Sequence, residues 1–147
     1  MTPHPDRAAW LGLLATAPHD RLLALWAAAG PAPDHHLLRA PEIGTVMLRG
    51  RTGGTGAPFN LGEITVTRAS VQLASGPVGH GHVQGRSHAA ARAAAVIDAL
   101  MQTDQASGLT AKILTPLATE QAPRRTARAA RAAATKVDFF TLMRGDD

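Results

Sequence analysis

Residues Gly50–Arg68 read GRTGGTGAPFNLGEITVTR, and their types suit the handling of an anion. Gly50, Gly53, Gly54, Gly56 and Gly62 lie among Arg49, Arg51 and Arg68. Glycines reach positive φ without steric cost and can expose successive N–H groups as a concave anion nest. A plain hairpin loop is the competing reading. Neither nucleotide fingerprint fits. After Gly54-Thr55-Gly56 the third glycine position of the dinucleotide motif holds Phe59, and the segment runs into a strand-like stretch where that motif needs a helix. A GxxxxGK[ST] loop is absent.

Other groups extend the inventory. Asn60 precedes Glu63, Thr65 and Thr67, whose alternation puts a carboxylate and two hydroxyls on one strand face, suited to a sugar, a partner's backbone or plain solvation. His80 and His82 form an H-x-H pair with zinc or copper spacing. No third ligand follows by spacing, though His35, His36 or Glu63 are candidates, so a structural or solvent-facing role is the expectation. Arg124, Arg128 and Arg131 make a basic stripe at helical spacing. It suits phosphates, an acidic groove or solvation, but no aromatic accompanies it, which argues against nucleic acid. Its alanines are too small for a membrane-surface helix. No serine–histidine–acid set and no acid pair stands out.

These residues need a frame. The chain has 147 residues, of which 45% are hydrophobic and 18% charged, enough for one soluble domain with a modest core. Alanine supplies much of the apolar content, and the aromatics are Trp10, Trp26, Phe59, Phe139 and Phe140. Helices can pack closely but bury little area, so support from partner subunits is expected. There is no cysteine, which excludes disulfides and thiolate metal sites. No apolar run approaches membrane length, and MTPHPDRAAW lacks a signal pattern; the expected location is the cytoplasm. The net charge of +4 is concentrated between Leu109 and Lys136, where six basic residues face Glu120 alone.

Periodicity and breakers predict the elements. Asp6 caps a helix over Arg7–Ala17, Pro18 breaks it, and Asp20–Ala29 forms a second helix ended by Gly30-Pro31, giving a helical hairpin. Pro31–Pro41 reads as a linker. Ile43–Arg49, Leu61–Leu73 and Val78–Gln84 read as strands, the last an edge strand of weak composition. Ile64 and Val66 differ in parity from Ala69, Val71 and Leu73, which predicts a β-bulge near Thr67-Arg68. Ser87 opens a helix to about Thr103 that buries Ala93, Val96, Ile97, Leu100 and Met101, with His88, Arg92 and Ala99 opposite. Leu109–Leu117 reads as a fourth strand or irregular chain. Pro123 suits the first turn of a last helix, and VDFFTLMRG reads as a strand or extended arm. The expected architecture is α+β: a mainly antiparallel sheet of three to five strands, an N-terminal helical hairpin and two further helices. One domain spans 1–147, with hairpin and linker over 1–41, and sheet, helices and an extended tail over 42–147.

Together, RGRTGGTGAPFNLGEITVTR, the V-x-L of Val71–Leu73, GRSHAAARAAAVIDALMQ and VDFFTLMRG resemble the PhnG subunit family of the carbon–phosphorus lyase pathway, from about Arg49 to Gly145. Two departures matter. The family's TVTR is usually followed by cysteine, here Ala69. Its helix entry usually reads G-R-D-x-x-H-A; Gly85 and Arg86 are retained, Ser87 replaces the acid, and Ala90 holds the histidine position. The resemblance implies a companion subunit, inactive alone, acting with PhnH, PhnI and PhnJ. That assembly displaces the base of ATP or GTP with an alkylphosphonate. With methylphosphonate it makes α-D-ribose 1-methylphosphonate 5-triphosphate. Nucleosidase-like chemistry is then associated with PhnI. The iron–sulfur cluster and S-adenosylmethionine belong to PhnJ. This chain is expected to carry no cofactor. Its expected substrate or interface residues are Arg49, Arg51, Gly53, Gly54, Gly56, Asn60, Glu63, Thr65, Thr67, Arg68, Gly85 and Arg86. Phe139 and Phe140 are expected to meet a partner, the competing reading being docking on this chain's own sheet. A pure scaffold and a nucleic-acid binder are the other functions considered.

Overall fold

Two short amphipathic helices lead into three strands and then into alanine-rich helices. The computed structural model describes residues 7–137. Its elements are α1 (Arg7–Thr16), α2 (His19–Ala29), β1 (His35–Arg51), β2 (Pro58–Leu73), β3 (Val78–Gln84), α3 (His88–Leu100), α4 (Ala106–Leu109) and α5 (Thr115–Ala134). The strands form one antiparallel sheet in the order β1-β2-β3. The α+β architecture with its helical hairpin follows the sequence expectation. Asp6, Phe139 and Phe140 lie outside the described residues.

Helix α3 is the hub. Ser87 caps it, its hydroxyl accepting from the Ala90 amide at 3.1 Å, as a short polar side chain does at an N-cap. From Ala90 to Leu100 every side chain except Arg92 is buried. Ala99, expected on the outer side, is therefore inside. The reason lies in β3, whose sequence VGHGHVQ alternates buried Gly79, Gly81 and Val83 with exposed His80 and His82. A Cβ at Gly81 would overlap the Ala91 carbonyl and lie 2.8 Å from the Ala95 amide; one at Gly79 would overlap the Ala95 carbonyl. Glycine on the strand and alanine on the helix let the two backbones touch. The strand that looks weak by propensity is the one on which the core helix rests.

Three expectations for the sheet change. Strand β1 begins at His35, so most of the supposed linker is paired chain. The bulge is not at Thr67-Arg68: β2 pairs with β3 in continuous register from Val66 to Gln72. The shifts lie in the β1–β2 ladder, between Leu37 and Arg39, Arg39 and Glu42, and Leu48 and Arg49. No bulge is needed at Thr67-Arg68, because Thr67 takes the inward position that precedes Ala69, Val71 and Leu73. Thr67 is fully buried, and its hydroxyl donates to the Gly85 carbonyl at 2.7 Å and accepts from the Ser87 amide at 3.0 Å. A satisfied hydroxyl is tolerated where an unpaired one would cost stability.

Leu109–Leu117 is helical, not a strand. Leu109, Ile113, Leu114 and Leu117 are buried, a helical spacing, and a π-helical turn over Thr110–Leu114 joins α4 to α5. Pro116, not Pro123, occupies the first turn of α5; Pro123 lies inside the helix.

The first half of α5 is held to the hairpin. Arg21 donates to Glu120 at 2.8 and 3.1 Å, and Gln121 bonds to the Thr16 hydroxyl. The hydrogen bond from Arg21 holds the Glu120 carboxyl below the usual glutamate range, against a smaller desolvation effect. A carboxyl lowered on folding contributes stability above its unfolded pKa and loses it as the pH falls through the folded value. The contribution of Arg21–Glu120 is thus expected to fade on acidification below about pH 4.3. It is small because both groups meet water. Acid titration of Glu120→Gln against the unaltered chain checks this; the stability difference should vanish in acid.

One buried charge ties the layers together. Asp98 is fully buried. Its carboxylate accepts from Arg7 Nε at 3.1 Å and Nη2 at 2.6 Å, Trp10 Nε1 at 2.9 Å and the His80 amide at 2.8 Å. Helix α1, strand β3 and helix α3 meet at this group.

Candidate functional site

The strands differ greatly in length, and that difference makes the site. Strand β3 covers only Val66–Gln72 of its neighbour. Beyond it β1 and β2 continue as a two-stranded ribbon, pairing from Thr45 with Thr65 to Arg51 with Pro58. At about 3.3 Å per residue the ribbon projects roughly 25 Å past the end of β3. A two-stranded hairpin is marginal alone in water. This one also exposes Met47, Leu48, Phe59 and Leu61, the last at 65%. Such a concentration of apolar side chains on a projection marks an interaction surface.

The glycine loop is the tip of this arm. Gly53 and Gly54 take positive φ, 61° and 85°, inside a short 3-10 turn over Thr52–Gly54. The amides of Thr55 and Gly56 both bond to the Thr52 carbonyl, and Arg51 donates to the Gly56 carbonyl at 3.2 Å. The turn thus accounts for glycine at these positions and uses two of its own donors. Phe59 lies against Gly50, where an added Cβ would meet the ring at 3.5 Å.

The sequence candidates do not converge on one pocket. Arg49, Arg51, Gly53, Gly54 and Gly56 are at the tip, and Asn60 and Glu63 are exposed on the shaft, opposite Arg49 and Met47. Thr65, Thr67, Gly85 and Arg86 are at the base. There the Gly85 amide donates to the Thr65 carbonyl at 2.8 Å, and Gly85 has a φ of 86°. Within this group Thr67 is committed to the fold, while Arg86 is exposed. His19, which the sequence did not single out, donates from Nε2 to the Gln84 carbonyl at 2.6 Å and braces the same corner.

Arg68 belongs to the outer face of the sheet. Its Nε donates to Glu42 at 2.8 Å, and it stands opposite His82. His80 is paired with Ser70 through Nδ1 and Oγ at 2.9 Å. A guanidinium beside one histidine and a hydroxyl beside the other is a poor cation site. The suggested third ligands lie elsewhere: Glu63 is on the arm, and His35 donates to the Pro33 carbonyl at 2.8 Å near the opposite end of β1. Among the described residues no group of three or more His, Asp or Glu is placed to hold a metal. No helix among them is long and apolar enough to cross a membrane.

The two departures from the family pattern have a structural setting. Ala69 is buried opposite Gly81, and Ala90 is fully buried in the first turn of α3. Both positions belong to the core of this chain rather than to an exposed face.

Comparison with known proteins agrees with the motif. The family model described as phosphonate metabolism protein PhnG matches residues 5–145. The chain is 43% identical over 142 residues to the alpha-D-ribose 1-methylphosphonate 5-triphosphate synthase subunit PhnG of Rhizobium meliloti (strain 1021), covering 97% of this chain and 91% of that protein. The chain therefore belongs to the PhnG family of phosphonate metabolism proteins.

Proposed function

We propose that this chain is a companion subunit of a phosphonate-activating transferase complex in the cytoplasm, and that the arm is its main docking element. The relative's name supports the α-D-ribose 1-methylphosphonate 5-triphosphate synthase as that complex. The family resemblance supports PhnH, PhnI and PhnJ as partners and a nucleoside triphosphate with an alkylphosphonate as substrates. The observation that carries the reading is the ribbon itself, which lies beyond the third strand with Met47, Leu48 and Leu61 exposed. Arg49 and Arg51 at its tip bring cationic groups to whatever the arm meets. Asn60 and Glu63 add a polar edge. Phe139 and Phe140 extend the interface from the chain's tail. The chemistry of base displacement is assigned to the assembled subunits, with this chain shaping the site.

Coexpression with PhnH, PhnI and PhnJ tests this. Met47→Asp with Leu61→Asp places charge on the exposed apolar arm. It should lower recovered complex about tenfold or more, while the isolated chain keeps its stability within about 0.5 kcal/mol because both side chains are exposed. Undiminished recovery would remove the docking role. In complexes that do assemble, Arg51→Ala and Glu63→Gln separate the two versions of the reading. Slower turnover assigns the tip to substrate handling, and unchanged turnover leaves a scaffold. Synthase activity in the isolated chain would contradict the companion role altogether.

A further inference from the structure

A second surface, away from the arm, has a chemistry of its own. Helix α5 leaves the body after Gln121: from Ala122 to Ala134 every residue is exposed. Between this projecting half and α1 lies an open groove of about 1080 Å³. Leu13, Met101 and Leu114 contribute apolar lining, hydroxyl and amide side chains of both helices stand between them, and Arg124, Arg125 and Arg128 stand along the α5 wall. Arg124 reaches Glu120 only at 4.0 Å, and Glu120 is already engaged by Arg21. Among the described residues Arg125 and Arg128 have no acidic partner.

We infer that this groove seats an amphipathic helix of another subunit, its apolar stripe on the groove floor and acidic side chains along the edge facing Arg124, Arg125 and Arg128. The inference rests on the reading of the chain as a complex subunit but concerns a different surface from the arm. Three arginines within about one helical turn present a row of donors that carboxylates at i and i+4 can meet. For a helix about 10 Å across, the groove volume accommodates roughly 14 Å of length, or about nine residues. Nucleic acid is the poorer match, because the α5 wall carries no aromatic for base stacking, and Trp10 on the α1 side is buried with its indole N–H held by Asp98. The exposed half of α5 points the same way. Isolated helices shorter than about 12–15 residues are marginal in water, and every residue of this half is exposed in the described structure.

The test uses the assembled complex. Arg125→Glu with Arg128→Glu, compared with the double lysine variant, should reduce recovery of the complex at least tenfold, and added salt should weaken what remains less than it weakens the unaltered complex, because it screens a repulsion. The lysine variant should assemble nearly as the unaltered chain does. Amide hydrogen exchange over 122–134 should slow at least tenfold on assembly of the unaltered chain. Equal recovery of the charge-reversed complex, or exchange over 122–134 unchanged by assembly, overturns the inference while leaving the arm reading intact. Loss of complex only in the Met47/Leu61 variant overturns it in the same way. Saturable binding of inorganic triphosphate or of RNA to the isolated chain, abolished by the glutamate pair, would reassign the groove and also overturn it. If the unaltered chain assembles with no other subunit, both readings fail together.

Discussion

Asp98→Ala is expected to lower the stability of the fold by about 3–5 kcal/mol, the range for removing one partner of a buried ion pair. Asp98 is fully buried and receives donors from three elements: the Arg7 guanidinium, the Trp10 indole N–H and the His80 amide. Removing the carboxylate leaves all of them facing a cavity, and buried donors without acceptors carry their full desolvation cost. The guanidinium is partly open to water and can turn outward. The indole, on a side chain buried in the core, has no such escape. Small domains are stable by only about 5–15 kcal/mol, so the loss is a large share of the total. Asp98→Asn retains the shape and one acceptor and should lose clearly less. The denaturant midpoints of the two variants check the ranking; equal, small losses would show that the group is not a structural tie.

Gly81→Ala is the second large effect. The new methyl would overlap the Ala91 carbonyl and crowd the Ala95 amide, both backbone atoms of a helix buried over nearly its whole length. No side chain can swing away, so α3 must lift from β3. Overpacking of this kind costs about 1–3 kcal/mol or more, and here the upper end applies because the obstruction is backbone. The same movement pulls β3 from Asp98, which holds the neighbouring His80 amide at 2.8 Å. The two sites are therefore coupled, and Gly81→Ala combined with Asp98→Asn should cost less than the sum of the two changes. By contrast Gly53→Ala and Gly54→Ala at the arm tip meet no atom within 4 Å. They carry only the strain of positive φ. Thermal unfolding of the four variants separates a buried contact from a turn preference.

Some of this is legible residue by residue. Gly30-Pro31 and Pro18 mark the ends of the first two helices, and Ser87 marks the start of α3, because caps and breakers act through neighbours in the chain. Turn residues bound β3 correctly from Val78 to Gln84, although its glycines look like weakness. The arm is half visible: the glycine turn and the flanking strands stand out, but not that they outrun β3. The failures share a cause. For Thr67, Ala99 and Leu109–Leu117 the local pattern misleads, and in each case a contact distant in sequence decides the outcome. The Gly85 carbonyl satisfies the Thr67 hydroxyl, Gly79 admits Ala99, and the Leu109–Leu117 face is buried in the shared core beside the hairpin.

The amino-acid sequence by itself determined the family, the α+β class, the helical hairpin, the turn-forming glycines and the concentration of basic charge near the end of the chain. These depend on residue type and short spacing, which a linear reading preserves. Only the tertiary structure decided that Asp98 joins three elements, that β3 is a seat for a helix, and that the candidate residues divide between arm tip, shaft and base. Those facts depend on which backbones approach closely enough to exclude a side chain or share a proton donor, and such distances are set by packing between segments far apart in the chain.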